Sequence, residues 1–149
     1  MNFLFTRTTL SIAAAATLLA VLPACTSKSG VPAADTMTSL QLSGDQEVPP
    51  VRTAASGKGS LTITADGTVS GTVSTSNIIA TMAHIHEAAA GKNGPVVVTL
   101  SKATDNAWSV PSATKLSTEQ LASYRAGNMY VNVHSEANKD GEIRAQIKP

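Results

Sequence analysis

From Thr38 to the end of the chain, apolar and polar residues alternate in short runs separated by turn residues. A period of two puts successive side chains on opposite faces of an extended strand, so this pattern restricts the segment to β-structure with one apolar face. Leu61, Ile63 and Ala65 alternate with Thr62 and Thr64, and Val69, Gly71 and Val73 follow Asp66-Gly67. The Asp-Gly pair predicts a two-residue type I′ hairpin. Ile78 to Glu87 and Pro95 to Leu100 are further extended candidates. Met129, Val131 and Val133 alternate with Tyr130, Asn132 and His134, and Ile143, Ala145 and Ile147 with Glu142, Arg144 and Gln146. With Asn138 to Gly141 as the turn, this predicts a C-terminal hairpin with an aliphatic inner face.

One helix is predicted. Ser117 can cap it, Gln120 completes a capping box, Leu116 and Leu121 form a hydrophobic staple, and Gly127 stops it. Six to eight short strands at this spacing predict an all-β, antiparallel sandwich or barrel. Trp108, Tyr124 and Tyr130 are the only aromatics beyond the first 24 residues, so Val, Ile, Leu and Ala must build the core.

Those first 24 residues read as a secretory signal: Arg7 precedes an apolar stretch through Leu22 that is short and Ala-rich for a membrane span. The chain has one cysteine, Cys25, which excludes an internal disulfide framework and a multi-cysteine metal site. Leu22-Pro23-Ala24-Cys25 resembles the lipobox of bacterial lipoproteins. The resemblance implies cleavage before Cys25, its lipidation, and a membrane partner through that anchor. Residues 25–37 then form the lipidated N-terminus and a flexible linker, and residues 38–149 the folded domain. Thr26 after the cysteine implies, again by resemblance, the outer membrane, so the expected setting is the bacterial cell envelope, in the periplasm or at the cell surface. The net charge is +1, and Arg7 in the leader accounts for it, leaving the remainder neutral. A neutral chain without a Lys/Arg cluster offers no electrostatic footprint for nucleic acid.

The chain has three histidines, His84, His86 and His134, each in a predicted strand. Residues i and i+2 share a strand face about 6.6 Å apart, and a neighbouring strand lies roughly 4.8 Å away, so the three rings can converge on one ion. Three imidazoles with an open position suit copper or zinc, and the affinity order favours copper. An ordinary hydrogen bond accounts for any one of these histidines taken alone. No other histidine occurs, and all three lie in the polar register expected to face solvent. Glu87 is expected on the opposite, solvated face. Glu47, Glu136 and Asp140 lie near turns, as partners of histidine N–H groups or as surface carboxylates. Arg144 is expected to pair with a neighbouring carboxylate. No nucleophile elbow or phosphate loop is present, and Gly91 to Pro95 reads as a plain loop.

Leu42-Ser43-Gly44-Asp45-Gln46-Glu47-Val48-Pro49-Pro50-Val51, His84-Ile85-His86-Glu87, Gly91 to Val97, Tyr130 to His134 and Gly141 to Ile147 occur in order along residues 38–149. Together they resemble a CHRD domain, the module first named from chordin. The resemblance implies an immunoglobulin-like β-sandwich outside the cytoplasm. His84-Ile85-His86-Glu87 is also similar to the first copper-ligand segment of Cu/Zn superoxide dismutases, with His134 standing for the late copper histidine. The bridging histidine, the further zinc ligands and the disulfide cysteines of those enzymes have no counterparts here. This likeness implies a copper site with dismutase-like redox chemistry. The alternative is a non-enzymatic envelope module that binds another protein through its loops and the Pro49-Pro50 segment without metal.

Overall fold

A computed structural model describes residues 36–149. The leader, Cys25 and the linker up to residue 35 lie outside the described residues. Nine strands form one antiparallel sheet: β1 Thr36–Ser43, β2 Ser56–Ile63, β3 Val69–Ser76, β4 Ala80–Glu87, β5 Val96–Thr99, β6 Ser101–Thr104, β7 Ala107–Ser109, β8 Met129–Ser135 and β9 Ile143–Ile147. Helix α1 covers Thr118–Arg125, and a single 3₁₀ turn covers Gly44–Gln46. β1 therefore begins two residues inside the segment read as linker.

The strand order is β5-β4-β8-β9-β1-β2-β3-β7-β6. Its two ends, β5 and β6, are separated in the chain by Leu100 alone. One residue cannot span an open sheet, so the ends meet and the sheet curls into a sandwich closed almost to a barrel. Leu100 N–H donates to the Ala83 carbonyl (2.9 Å), and Lys102 Nζ donates to the Ala80 carbonyl (3.3 Å), tying both strands to β4.

The core lies between the inward faces. Leu40, Leu42, Leu61, Ile63, Val73, Ile85, Val131, Val133, Ile143 and Ile147 are all buried there with Trp108. Each such aliphatic side chain contributes about 1.5–3 kcal/mol on burial, which makes an aromatic-poor core sufficient. The expected C-terminal hairpin is present, with Met129 opposite Ile147, Val131 opposite Ala145 and Val133 opposite Ile143. The helix is capped as its sequence predicts. Ser117 Oγ accepts from Gln120 N–H, and the Gln120 side chain accepts from Ser117 N–H. Gly127 ends it at φ +74°, with bonds from Gly127 N–H to Tyr124 C=O and Asn128 N–H to Ser123 C=O. None of the described helices is long and apolar enough to cross a membrane.

Two expectations need correction. The β2–β3 connection is not a two-residue type I′ turn, which requires positive φ at both central residues. Asp66 does not have positive φ; Gly67 does, and a Gly67 N–H to Thr64 C=O bond closes a longer loop. Asp66 instead accepts from the Thr68 N–H and hydroxyl and from Lys115 Nζ. The second correction concerns β8. All seven of its residues are buried, so the face bearing Tyr130, Asn132 and His134 is not solvated. Segments 44–55, 88–95 and 136–142 cover it: the Glu47 side chain lies against Asn132, Gly94 N–H donates to Tyr130 Oη, and the Asp140 and Lys139 carbonyls accept from Asn132 and His134, where water would serve on an open sheet.

Candidate metal centre

His84 and His86 lie on β4 and His134 on the adjacent β8, where the register sets Asn132 opposite His84 and Tyr130 opposite His86. The one available ligand nitrogen of each ring lies within 4.8 Å of the other two. All three residues are buried. His84 Nδ1 is 2.9 Å from His134 Nε2. In a tetrahedral site with metal–nitrogen bonds of about 2.0–2.1 Å, ligand nitrogens stand roughly 3.3 Å apart. That pair is thus already at nearly the required separation, and the widest pair needs to close by only about 1.5 Å.

The outer nitrogens fix the tautomers. His86 Nδ1 lies 3.0 Å from the Gly94 carbonyl and His134 Nδ1 2.8 Å from the Lys139 carbonyl. A carbonyl only accepts, so both Nδ1 atoms carry the proton and both Nε2 atoms present lone pairs inward. Carbonyls on the outer ring nitrogens are how metal-binding histidines are ordinarily oriented. His86 Nε2 is buried with no partner. A buried acceptor without a donor is costly, and its inward lone pair fits a cation. Burial, then the neighbouring His134 and His86, pushes His84 down to about 4. Burial also lowers His134, against the opposing hydrogen bond to Lys139 and the charge of Asp140. Both rings are therefore neutral near pH 7, the form that binds metal. This three-histidine group can hold a metal ion.

A second layer positions it. Tyr130 stacks on His86 with ring centroids 4.8 Å apart and planes 5° from parallel, and the Arg144 guanidinium lies 3.4 Å over the Tyr130 ring. Arg144 is buried and makes no ion pair among the described residues, correcting the expected carboxylate pairing. It donates instead to the Lys92 carbonyl (2.9 Å), Asn93 Oδ1 (3.1 Å) and Gln146 Oε1 (3.2 Å). It thereby clamps the 88–95 loop whose Gly94 carbonyl holds His86. Gly94 is required there, because a Cβ would meet the Glu87 carbonyl oxygen at 1.9 Å. The Gly91–Pro95 segment is a loop as expected, but it carries part of the histidine support. Lacking any conventional ligand residue, it left that role invisible in the sequence.

The carboxylates divide. Glu136 and Asp140 are exposed, as surface carboxylates should be. Glu87 is half-buried rather than solvated and accepts from Ser123 Oγ, joining β4 to α1. Glu47 is buried, not at the surface; burial, only partly offset by Arg144, the Val48 N–H and Asn132, pushes it up to about 7. Glu142 is buried too, yet hydrogen bonds from Ser135, Thr53 and Asn138 outweigh the upward effect of burial and hold it below its usual value.

No curated protein and no solved structure matches the chain. The model of the CHRD domain family matches residues 38–147, a stretch that includes all three histidines, the Gly94 loop and Arg144. With most of its length matched in this way, the chain belongs to the CHRD domain family.

Proposed function

We propose that the domain binds a single copper ion, or zinc, through His84, His86 and His134, on a protein anchored by lipid at Cys25 in the bacterial cell envelope. The observation that carries this reading is the buried, unpartnered His86 Nε2 beside the 2.9 Å pair of His84 and His134. Three imidazole nitrogens follow the ligand preference of both ions, and the affinity order favours copper. The side chains' own work is to hold the His86 and His134 lone pairs inward, with the Gly94 and Lys139 carbonyls keeping the outer protons in place; His84 Nδ1, which donates to His134 Nε2, would give up that proton on binding the ion.

Copper when bound supplies one-electron chemistry, and the reading extends to dismutation of superoxide. Titration of the purified protein with Cu²⁺ and Zn²⁺ tests the site. One equivalent taken up, and lost in a triple His→Ala variant, supports it; no uptake by the wild type removes it and leaves a metal-free interaction module. A xanthine oxidase/cytochrome c assay of the copper-loaded protein tests the redox extension, which rates equal to buffer would exclude. Loss of detergent-phase partitioning in Cys25→Ser is the expected sign of the anchor.

A further inference from the structure

We propose that Met82 supplies a fourth, thioether ligand to the three-histidine group and makes the site favour the reduced, cuprous ion. This rests on the metal-binding reading of the three histidines. Met82 is directly opposite His134 in the β4–β8 ladder. The ladder is regular from Met82 to Glu87, and its irregularity falls earlier, between Ala80 and Met82. Strand alternation therefore sets Met82 on the face of His84 and His86, two and four residues on, while Ala83 and Ile85 face the core.

Directly opposed residues of an antiparallel pair have Cβ atoms about 4.5–5.5 Å apart. An unbranched methionine side chain with three rotatable bonds covers that distance readily.

Exposure supports the assignment. Met82 is 46% exposed, whereas His84, His86 and His134 are at 9%, 8% and 5%. A large apolar side chain at the solvent margin of a buried imidazole cluster contributes little to the core. Ile79, Met37 and Val96 are also exposed, so exposure alone distinguishes nothing. Val96 is also paired with a histidine of the group, His86, but has no donor atom; Met82 differs in joining such a pairing, with His134, to a thioether sulfur. Thioether sulfur is a soft donor that prefers Cu⁺, while Zn²⁺ is satisfied by imidazole nitrogen. The sequence signal is Met82-Ala83-His84-Ile85-His86, three donors at a spacing of two.

The test compares the full chain in detergent with Met82→Leu, a substitution of similar volume at an exposed position. Anaerobic competition against a chromophoric Cu⁺ chelator is expected to show Cu⁺ binding at least tenfold weaker in the variant. Zn²⁺ affinity is expected to stay within twofold. X-ray absorption of the Cu⁺-loaded wild type is expected to show one sulfur scatterer, lost in Met82→Leu. Equal Cu⁺ affinities, or no sulfur scatterer, would overturn the Met82 assignment while leaving the histidine site intact. A wild type that takes up none of Cu⁺, Cu²⁺ and Zn²⁺ would overturn the three-histidine reading itself.

Discussion

The Arg144 guanidinium lies 3.4 Å over the Tyr130 ring, and Tyr130 in turn stacks on His86, so a cation on β9 is coupled through β8 to an imidazole on β4. The same guanidinium donates to the Lys92 carbonyl and Asn93 Oδ1. One residue thus braces His86 both through the aromatic stack and through the loop that supplies the Gly94 carbonyl.

Arg144→Met should therefore act on stability and on the site together. Three acceptors lose a charged donor, each such bond being worth about 1.5–3 kcal/mol, partly offset by relief of the buried charge. A net loss of about 2–4 kcal/mol is expected in urea denaturation, with metal affinity reduced about tenfold, in line with losses on removing outer-sphere support. Unchanged affinity in a folded Arg144→Met protein would show that the brace does not reach His86.

Gly94→Ala isolates the loop. Its Cβ would meet the Glu87 carbonyl oxygen at 1.9 Å, so the backbone must move. The expected cost is about 2–4 kcal/mol, at the upper end of single substitutions. Nitrogen-15 NMR of the metal-free protein should find His86 protonated at Nδ1 in the wild type and a mixture of tautomers in the variant. An unchanged His86 tautomer would mean that the Gly94 carbonyl does not set it.

His134→Ala removes one nitrogen and the partner of His84 Nδ1. Loss of one of three ligands should weaken metal binding by at least a hundredfold in competitive titration. Before metal is added, His84 gains room to rotate, visible as broadening of its ring resonances. Retained tight binding would place the ion elsewhere.

Glu47 gives a pH signature whose sign can be worked out. Its ordinary value is 4.5 and its folded value about 7, so between these the folded state holds more protons. Stability from this group is fully present below about pH 4.5 and is lost as pH rises through 7. His84 works in the other direction, with an ordinary value of 6.5 and a folded value of about 4. Its contribution is present above 6.5 and is lost as pH falls towards 4. The two offset one another across the shared range. In metal-free Glu47→Gln the histidine effect is unopposed, so Tm should rise more steeply from pH 4.5 to 6.5 than in the wild type. Identical pH profiles would mean that Glu47 is not held protonated in the fold.

Much of this was legible in the chain, and for local reasons. Alternation in Met129–His134 and Ile143–Ile147 specified strands, because a one-residue slip would take Val131, Val133 and Ile143 out of the aliphatic core and put Tyr130, Asn132, His134 and Arg144 into it. The Ser117–Gln120 box and Gly127 specified the helix, because caps are satisfied within a few residues. The spacing of His84 and His86 put them on one face for the same reason, a period of two. The fates of Glu47, Arg144 and the face of β8 were not legible. Alternation reports which residues share a face; whether that face meets water depends on segments 44–55 and 88–95, distant in sequence, and on the 136–142 loop that follows β8, all folding over it. Nor could the histidine tautomers be read, since the Gly94 and Lys139 carbonyls that set them are backbone atoms every residue carries. Tertiary structure alone decided that His134 meets His84 at 2.9 Å, because strand pairing across fifty residues is chosen by the whole core rather than by either histidine.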